Sequence, residues 1–195
     1  MHIAKEVKDV PMEAHSKLSF LRKRREKMKR LLDGIRLKRK LHKYPEVKKI
    51  PGLLLDEPIK GFEYLIHLKE NGLPVDLFAF YLRLSCLMDT EGVPVSLLKK
   101  AYDMAPRELL MTKKEQEFLA NPTEVVTIYR GTDSLSDEPR IAWSMERKVA
   151  ERFSQGQFLF EAQVKKSRIV AYYKDGTDEE EVVVFLKPEE VRRIY

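Results

Sequence analysis

Residues 125–133 read VVTIYRGTD, and they decide the class of the fold. Val125, Val126, Ile128 and Tyr129 are β-branched, apolar or aromatic, the composition of a strand that is at least half buried. Arg130 stands at the end of that strand, just before Gly131. A buried guanidinium without a counter-charge is expensive, so Arg130 needs a partner. Either a carboxylate of this chain or the anion of a ligand would serve.

Strand-like runs continue downstream. They are expected at 124–130, 139–143, 157–164 (QFLFEAQV), 169–173 (IVAYY), 181–187 (EVVVFLK) and 191–195, with one short helix over 145–153 (MERKVAERF). Upstream of Pro122 the period is helical. Helices are expected at about 58–70, stopped by Asn71-Gly72, at 75–89, at 95–104 and at 113–120, closed by Asn121-Pro122. Thr112 and Glu115 have the spacing of a capping box for the last of these. Leu77, Phe78, Tyr81, Leu82, Leu84 and Leu87 cover more than one face of the second, which predicts deep burial. Pro51-Gly52 reads as a turn and a boundary. His67, among Leu65, Ile66 and Leu68, reads as a histidine tolerated at the edge of the core. Helices followed by strands give an α+β chain: a helical N-terminal half and then a mixed or antiparallel β core.

The 195 residues and their 43% apolar content are those of a globular protein. No run approaches the roughly 18 apolar residues of a membrane span, so no membrane partner is expected. The first residues, MHIAKEVKDVPMEAH, lack a signal-peptide core, which makes the cytoplasm the expected location. One cysteine, Cys86, excludes an internal disulfide and a multi-cysteine metal site, and in YLRLSCLMD it reads as a small buried apolar residue.

The formal charge of +6 is unevenly spread: +10 in residues 1–60, −2 in 61–120 and −2 in 121–195. Segment 16–44 has helical spacing at Leu18, Leu21, Met28, Leu32 and Ile35, with Ser16 as N-cap and Gly34 weakening the middle. Arg24 and Arg25 narrow its apolar stripe. It is either a solvated helix packing one edge on the body or, through residues 16–43, a docking arm for nucleic acid or an acidic protein. Phe20 and Tyr44 are too few for stacking on a single strand.

Three polar features fall at strand ends in the last third. Arg130 is the first. Ser144, in RIAWSMERKVAERF, sits where a strand runs into a helix and is placed to cap that helix. DEEEVVVFL (178–186) brings three glutamates into an apolar strand, and alternation puts Glu179 and Glu181 on one side and Glu180 on the other. Taken singly, each has a bland reading: an ion-pair arginine, a helix cap, a solvated strand end.

Taken in order, TIYRG (127–131), IAWSMERKVAERF (141–153) and IVAYYKDGTDEEEVVVFLKP (169–188) resemble the mono-ADP-ribosyltransferases of the cholera-toxin-like Arg–Ser–Glu class. The likeness is to small bacterial and phage proteins of that fold and is confined to about residues 110–195. Charge and helical period set off a basic helical arm (1–50) and a helical subdomain (51–121), and the resemblance implies an ADP-ribosyltransferase-like β core (122–195). It also implies NAD as substrate, with no metal. By that resemblance Arg130 holds the diphosphate and adjoining ribose, and Ser144 shapes the nicotinamide-ribose pocket. Tyr129, Gly131, Trp143 and Phe153 are the accompanying cofactor-binding positions. Glu181, directly before the apolar run, is the catalytic carboxylate, and Glu179 is the upstream acid that favours arginine as acceptor.

Where the family's second motif reads Ser-Thr-Ser after an aromatic residue, this chain has Ala142-Trp143-Ser144-Met145. The chemistry asks for few groups. Loss of a neutral nicotinamide leaves an oxocarbenium-like sugar, as in glycoside cleavage, which a carboxylate stabilises. A second carboxylate positions the incoming guanidinium and helps take its proton. Acceptor recognition would fall to the loop YKDGTD (173–178), with Gly176 as its flexible point. The resemblance thus implies transfer of ADP-ribose to a protein acceptor, on arginine. The competing expectation is an inactive binding module of the same fold that docks through its basic arm. Transfer to a nucleic acid base or phosphate is a third.

Overall fold

The computed structural model describes residues 42–85, 90, 92–134, 140–174 and 180–195. The basic segment 16–41, including Ser16, Leu18–Ile35 and Gly34, lies outside them, as do Cys86, Gly176 and Glu179. The chain divides into two compact units, Met1–Lys48 and Lys49–Tyr195. In the described part of the first, the Val47 amide closes a turn onto the Tyr44 carbonyl (3.2 Å).

The second unit begins with helices. Helix α1 (Ile50–Asp56) is followed by α2 (Pro58–Glu70), α3 (Val75–Ser85), α4 (Val95–Asp103), α5 (Arg107–Leu110) and α6 (Lys113–Phe118). The expected turn at Pro51-Gly52 is corrected: both residues lie inside α1. Proline fits in the first helical turn, where its missing N–H has no partner to lose. Gly61 lets α2 cross α1, since a Cβ there would stand 2.8 Å from the Leu54 backbone nitrogen. His67 is also corrected, being exposed on α2 rather than at the core edge. Helix α3 is buried on several faces, as its pattern predicts, through Leu77, Phe78, Tyr81, Leu82 and Leu84. Each such side chain contributes about 1.5–3 kcal/mol by leaving water. The capping box at α6 is present: Thr112 Oγ1 accepts from the Glu115 amide (3.4 Å) and Glu115 returns the bond to the Thr112 amide (2.7 Å).

The strands are β1 (Val125–Thr132), β2 (Ala142–Ser144), β3 (Phe158–Lys165), β4 (Ala171–Tyr173), β5 (Glu181–Val183) and β6 (Arg192–Arg193). Helix α7 (Arg147–Ser154) follows β2. All six strands join one antiparallel sheet in the order β4-β5-β2-β1-β3-β6. The protein is therefore α+β, as expected. Two strand expectations need correction. Strand β1 continues past Arg130 through Gly131 to Thr132, because it pairs with β3 along its whole length. The run 181–187 forms a ladder only to Val183; its buried remainder, Val184 and Leu186, is packed without being a strand.

The helices lie close against the sheet at several points. Phe118 of α6 stacks on Tyr172 of β4 at 4.0 Å between centroids, and Tyr102 of α4 meets Phe185 edge-on at 6.2 Å. Arg140, leading into β2, donates to the Val93 carbonyl (3.0 Å).

Candidate active site at the centre of the sheet

Strands β1, β2 and β5 are adjacent, although β1 and β5 are far apart in the chain. Their register aligns Tyr129 with Ser144, Ser144 with Glu181, and Glu181 with Tyr173 of β4. Residues directly opposite in an antiparallel ladder project to the same face. Ser144 and Glu181 are thus cross-strand neighbours in the middle of the sheet. Arg130 follows Tyr129 and is directed to the other face, where its Nη1 donates to the Ala142 carbonyl of β2 (2.7 Å).

The three glutamates are sorted by this register. Glu181 is the first residue of β5 and pairs with Ser144. Glu180 is held differently, since its side chain is bonded by Lys174 Nζ and its carbonyl accepts from the Met145 amide (2.9 Å). The Lys174 ammonium, more than burial opposes it and with help from the Tyr172 hydroxyl, holds the Glu180 carboxyl below its ordinary range. Burial and that same carboxylate push the Tyr172 phenol up.

Ser144 is buried but does not cap α7, which corrects the sequence expectation. The helix starts at Arg147 with Glu146 at its cap position. Ser144 Oγ instead accepts the Glu146 amide (3.0 Å), closing the turn between strand and helix. Trp143 is buried in the row with Val182 and Tyr172, on the face opposite Ser144 and Glu181, and its Nε1 donates to the Arg140 carbonyl (2.8 Å). Phe153 is an exposed side chain of α7.

Gly131 has a packing reason to be glycine. A Cβ at this position would come within 1.7 Å of the Ala150 carbonyl oxygen and 2.5 Å of the Ser154 amide, so α7 lies directly on β1 here. The turn ending α7 is tight as well, with Gln155 in the left-handed region at φ 49°.

Glu181 borders a cleft of about 270 Å³, counting its open mouth, between β2, β5 and the helices. Phe62, Leu98, Tyr102 and Ile141 make its walls largely apolar. Its enclosed part is only about 20 Å³, room for a water molecule or two and far below the roughly 300–1,000 Å³ of a ligand pocket.

Beside this row stands a second charged cluster, which sequence reasoning did not find. Glu115 is 3% exposed and takes Arg83 on both oxygens, from Nη1 at 2.7 Å and Nη2 at 2.9 Å. Glu115 also accepts the Lys174 amide (2.9 Å), just past β4. Burial alone would push its carboxyl up. The Arg83 guanidinium and the amides of Lys174 and Thr112 outweigh burial and hold it at about 2. Arg83 in turn donates to the Leu110 carbonyl (2.8 Å) and lies 4.8 Å from the Tyr173 ring centroid. The available signal was Arg83 itself, a cation inside the apolar run of α3 that must have an anion nearby.

Among the described residues no cluster of histidine, cysteine or carboxylate side chains could hold a metal ion. No described helix is long and apolar enough to cross a membrane. Comparison with protein-family models, with curated proteins and with solved structures finds no match to this chain.

Proposed function

We propose that this chain is an NAD-dependent mono-ADP-ribosyltransferase that modifies a protein acceptor on arginine. The observation that carries the reading is the alignment of Ser144 with Glu181 on β2 and β5, beside the β1 residues Tyr129 and Arg130. Residues drawn from three distant stretches come to one level of the sheet, with Ser144 and Glu181 on one face and Arg130 on the other.

Two groups of the site support this reading. Glu181, at the rim of an apolar cleft, supplies a carboxylate where water is partly excluded, so its field acts strongly on positive charge developing nearby. Arg130, on the opposite face, carries a guanidinium fork of the kind suited to a phosphate. Bound NAD would supply the glycosidic bond and a neutral leaving group. Glu179, the second acid of the motif, lies outside the described residues.

Incubation of the full chain with labelled NAD and a cell lysate, beside Glu181→Gln, tests this. Label transferred by the parent and lost from the variant is the expected result. Equal transfer by both, or none by either, overturns it.

A second reading, an inactive binding module of the same fold, draws on how the polar groups are used. Arg130 bonds Ala142 and Ser144 bonds Glu146, both within the protein. Calorimetry with NAD separates the two. Heat of binding that Arg130→Ala removes favours the enzyme, and its absence in the parent favours the module.

A further inference from the structure

Glu181, the first residue of β5, stands at the end of both ladders that this strand makes. The ladder with β4 is three residues long, and Glu181 with Tyr173 is the last pair. End pairs of short ladders fray, because one side has no further bond to hold it. Here the chain beyond the last pair is caught on both strands. The Lys174 amide donates to Glu115 Oε1 (2.9 Å), and the Glu180 carbonyl accepts the Met145 amide (2.9 Å). Lys174 and Glu180 are also bonded to each other through their side chains.

The capture of Lys174 is unusual in its chemistry. A buried carboxylate from α6, not a strand, takes the N–H that would otherwise begin to fray. Arg83, from α3, neutralises that carboxylate with two bonds and covers the ring of Tyr173, the residue paired with Glu181. Charge-assisted bonds of this kind are about twice as strong as neutral ones. Two helices, α3 and α6, therefore meet at the end of β4 that faces Glu181.

We propose that Arg83 and Glu115 are positioning residues for Glu181, holding the β4 end so that the carboxylate keeps its place beside Ser144. The inference rests on the reading of Glu181 as the catalytic carboxylate, but its structural half can be measured without activity. Neither residue lines the cleft that Glu181 borders. Their effect passes through Tyr173 and Lys174.

The test uses the full chain, ¹⁵N-labelled and carboxyl-¹³C-labelled on glutamate, as parent, Arg83→Lys and Glu115→Gln. Arg83→Lys keeps the charge but loses the fork, and Glu115→Gln keeps the shape but loses the charge. Amide exchange at Lys174 and Met145 should accelerate about tenfold more than in the β1–β3 ladder, the internal reference for global stability. The Glu181 carboxyl resonance, identified with Glu181→Gln, should shift in both variants. With NAD, kcat should fall about tenfold while KM changes less than about threefold, the pattern of an interaction needed only in the transition state.

Exchange that rises equally at Lys174 and in the β1–β3 ladder, or an unmoved Glu181 resonance, overturns the proposal and leaves the pair a stability element. If Glu115→Gln does not fold, Arg83→Lys decides alone. If the parent protein has no NAD activity, the proposed function fails while exchange and resonance still decide the positioning.

Discussion

Arg83 and Arg130 are both half-buried arginines on largely apolar elements, yet they are used differently. Arg83 reaches a carboxylate 32 residues away and bonds it with both arms of its fork. Arg130 reaches the neighbouring strand, 12 residues on, and donates to a backbone carbonyl. Deleting Arg83 would leave a buried negative charge behind, whereas deleting Arg130 would take a donor from the backbone carbonyl of Ala142, a neutral group. What a side chain leaves behind separates an arginine that holds the fold from one suited to a ligand. The first should dominate stability measurements and the second should dominate binding.

The largest effect is expected from Arg83→Ala. Glu115 would then be a buried carboxylate without its cation, a situation that costs about 3–5 kcal/mol. Urea denaturation should show this loss, and Glu115→Gln should lose less because the charge it strands, Arg83, is more exposed than Glu115 and keeps its bond to the Leu110 carbonyl. A loss below about 1 kcal/mol for Arg83→Ala, the range of exposed ion pairs, would erase the contrast between the two arginines.

The same pair predicts an acid response. The Glu115 carboxyl sits at about 2 in the fold against an ordinary 4.5. A carboxyl with a lowered folded value contributes stability that is complete above the unfolded value and is lost as pH falls. The window is therefore from about 4.5 down to about 2, and the contribution at stake is roughly 3 kcal/mol. Denaturation at pH 7 and pH 3 should show the parent losing much of its advantage over Glu115→Gln. An advantage independent of pH would mean that the charge of Glu115 is not what stabilises.

A smaller loss is expected for Gly131→Ala. The new methyl would meet the backbone of α7, which has no rotamer with which to move aside. Overpacking of this kind costs about 1–3 kcal/mol. Because α7 would be pushed off β1, thermal unfolding should shift even in the absence of NAD. An unchanged melting temperature would mean that α7 is not seated on β1 as described.

These residues also show what the sequence could and could not disclose. Local signals were readable: the Thr112–Glu115 capping box, the all-round apolar α3 and the change of period after Pro122 each gave an element where one is found. Pro51-Gly52 misled because proline marks helix starts as well as turns, and Gly52 is tolerated within α1. The run 181–187 misled because an apolar stretch reports burial, not pairing. Ser144 was placed at a strand-to-helix junction correctly, but the turn takes two further residues, so its hydroxyl serves the turn rather than the helix. Gly131 drew notice for its place beside Arg130, while the helix that requires it lies about 20 residues further on. Register and long-range ion pairs are properties of the folded chain. No spacing in the sequence links Arg83 to Glu115 or Ser144 to Glu181.

The smallest stability effect should come from Arg130→Ala, and it is the sharpest test of the contrast. Arg130 is half-buried and donates to the backbone carbonyl of Ala142, a neutral acceptor. Losing such a bond costs about 1 kcal/mol. If Arg130 is instead kept for an anion, its removal should spare folding and abolish the heat of NAD binding. Arg130→Lys refines the point, since lysine keeps the charge but cannot present a planar fork. It should fold like the parent and bind NAD more weakly, with an affinity between those of the parent and the alanine variant. Measured side by side with Arg83→Lys, the two substitutions ask the same question of both arginines. Arg83→Lys should show its loss in local exchange near Glu181, and Arg130→Lys in affinity. If both losses appeared instead in global stability, Arg130 would belong to the fold in the same sense as Arg83. The case for an anion beside Arg130 would then fall with it.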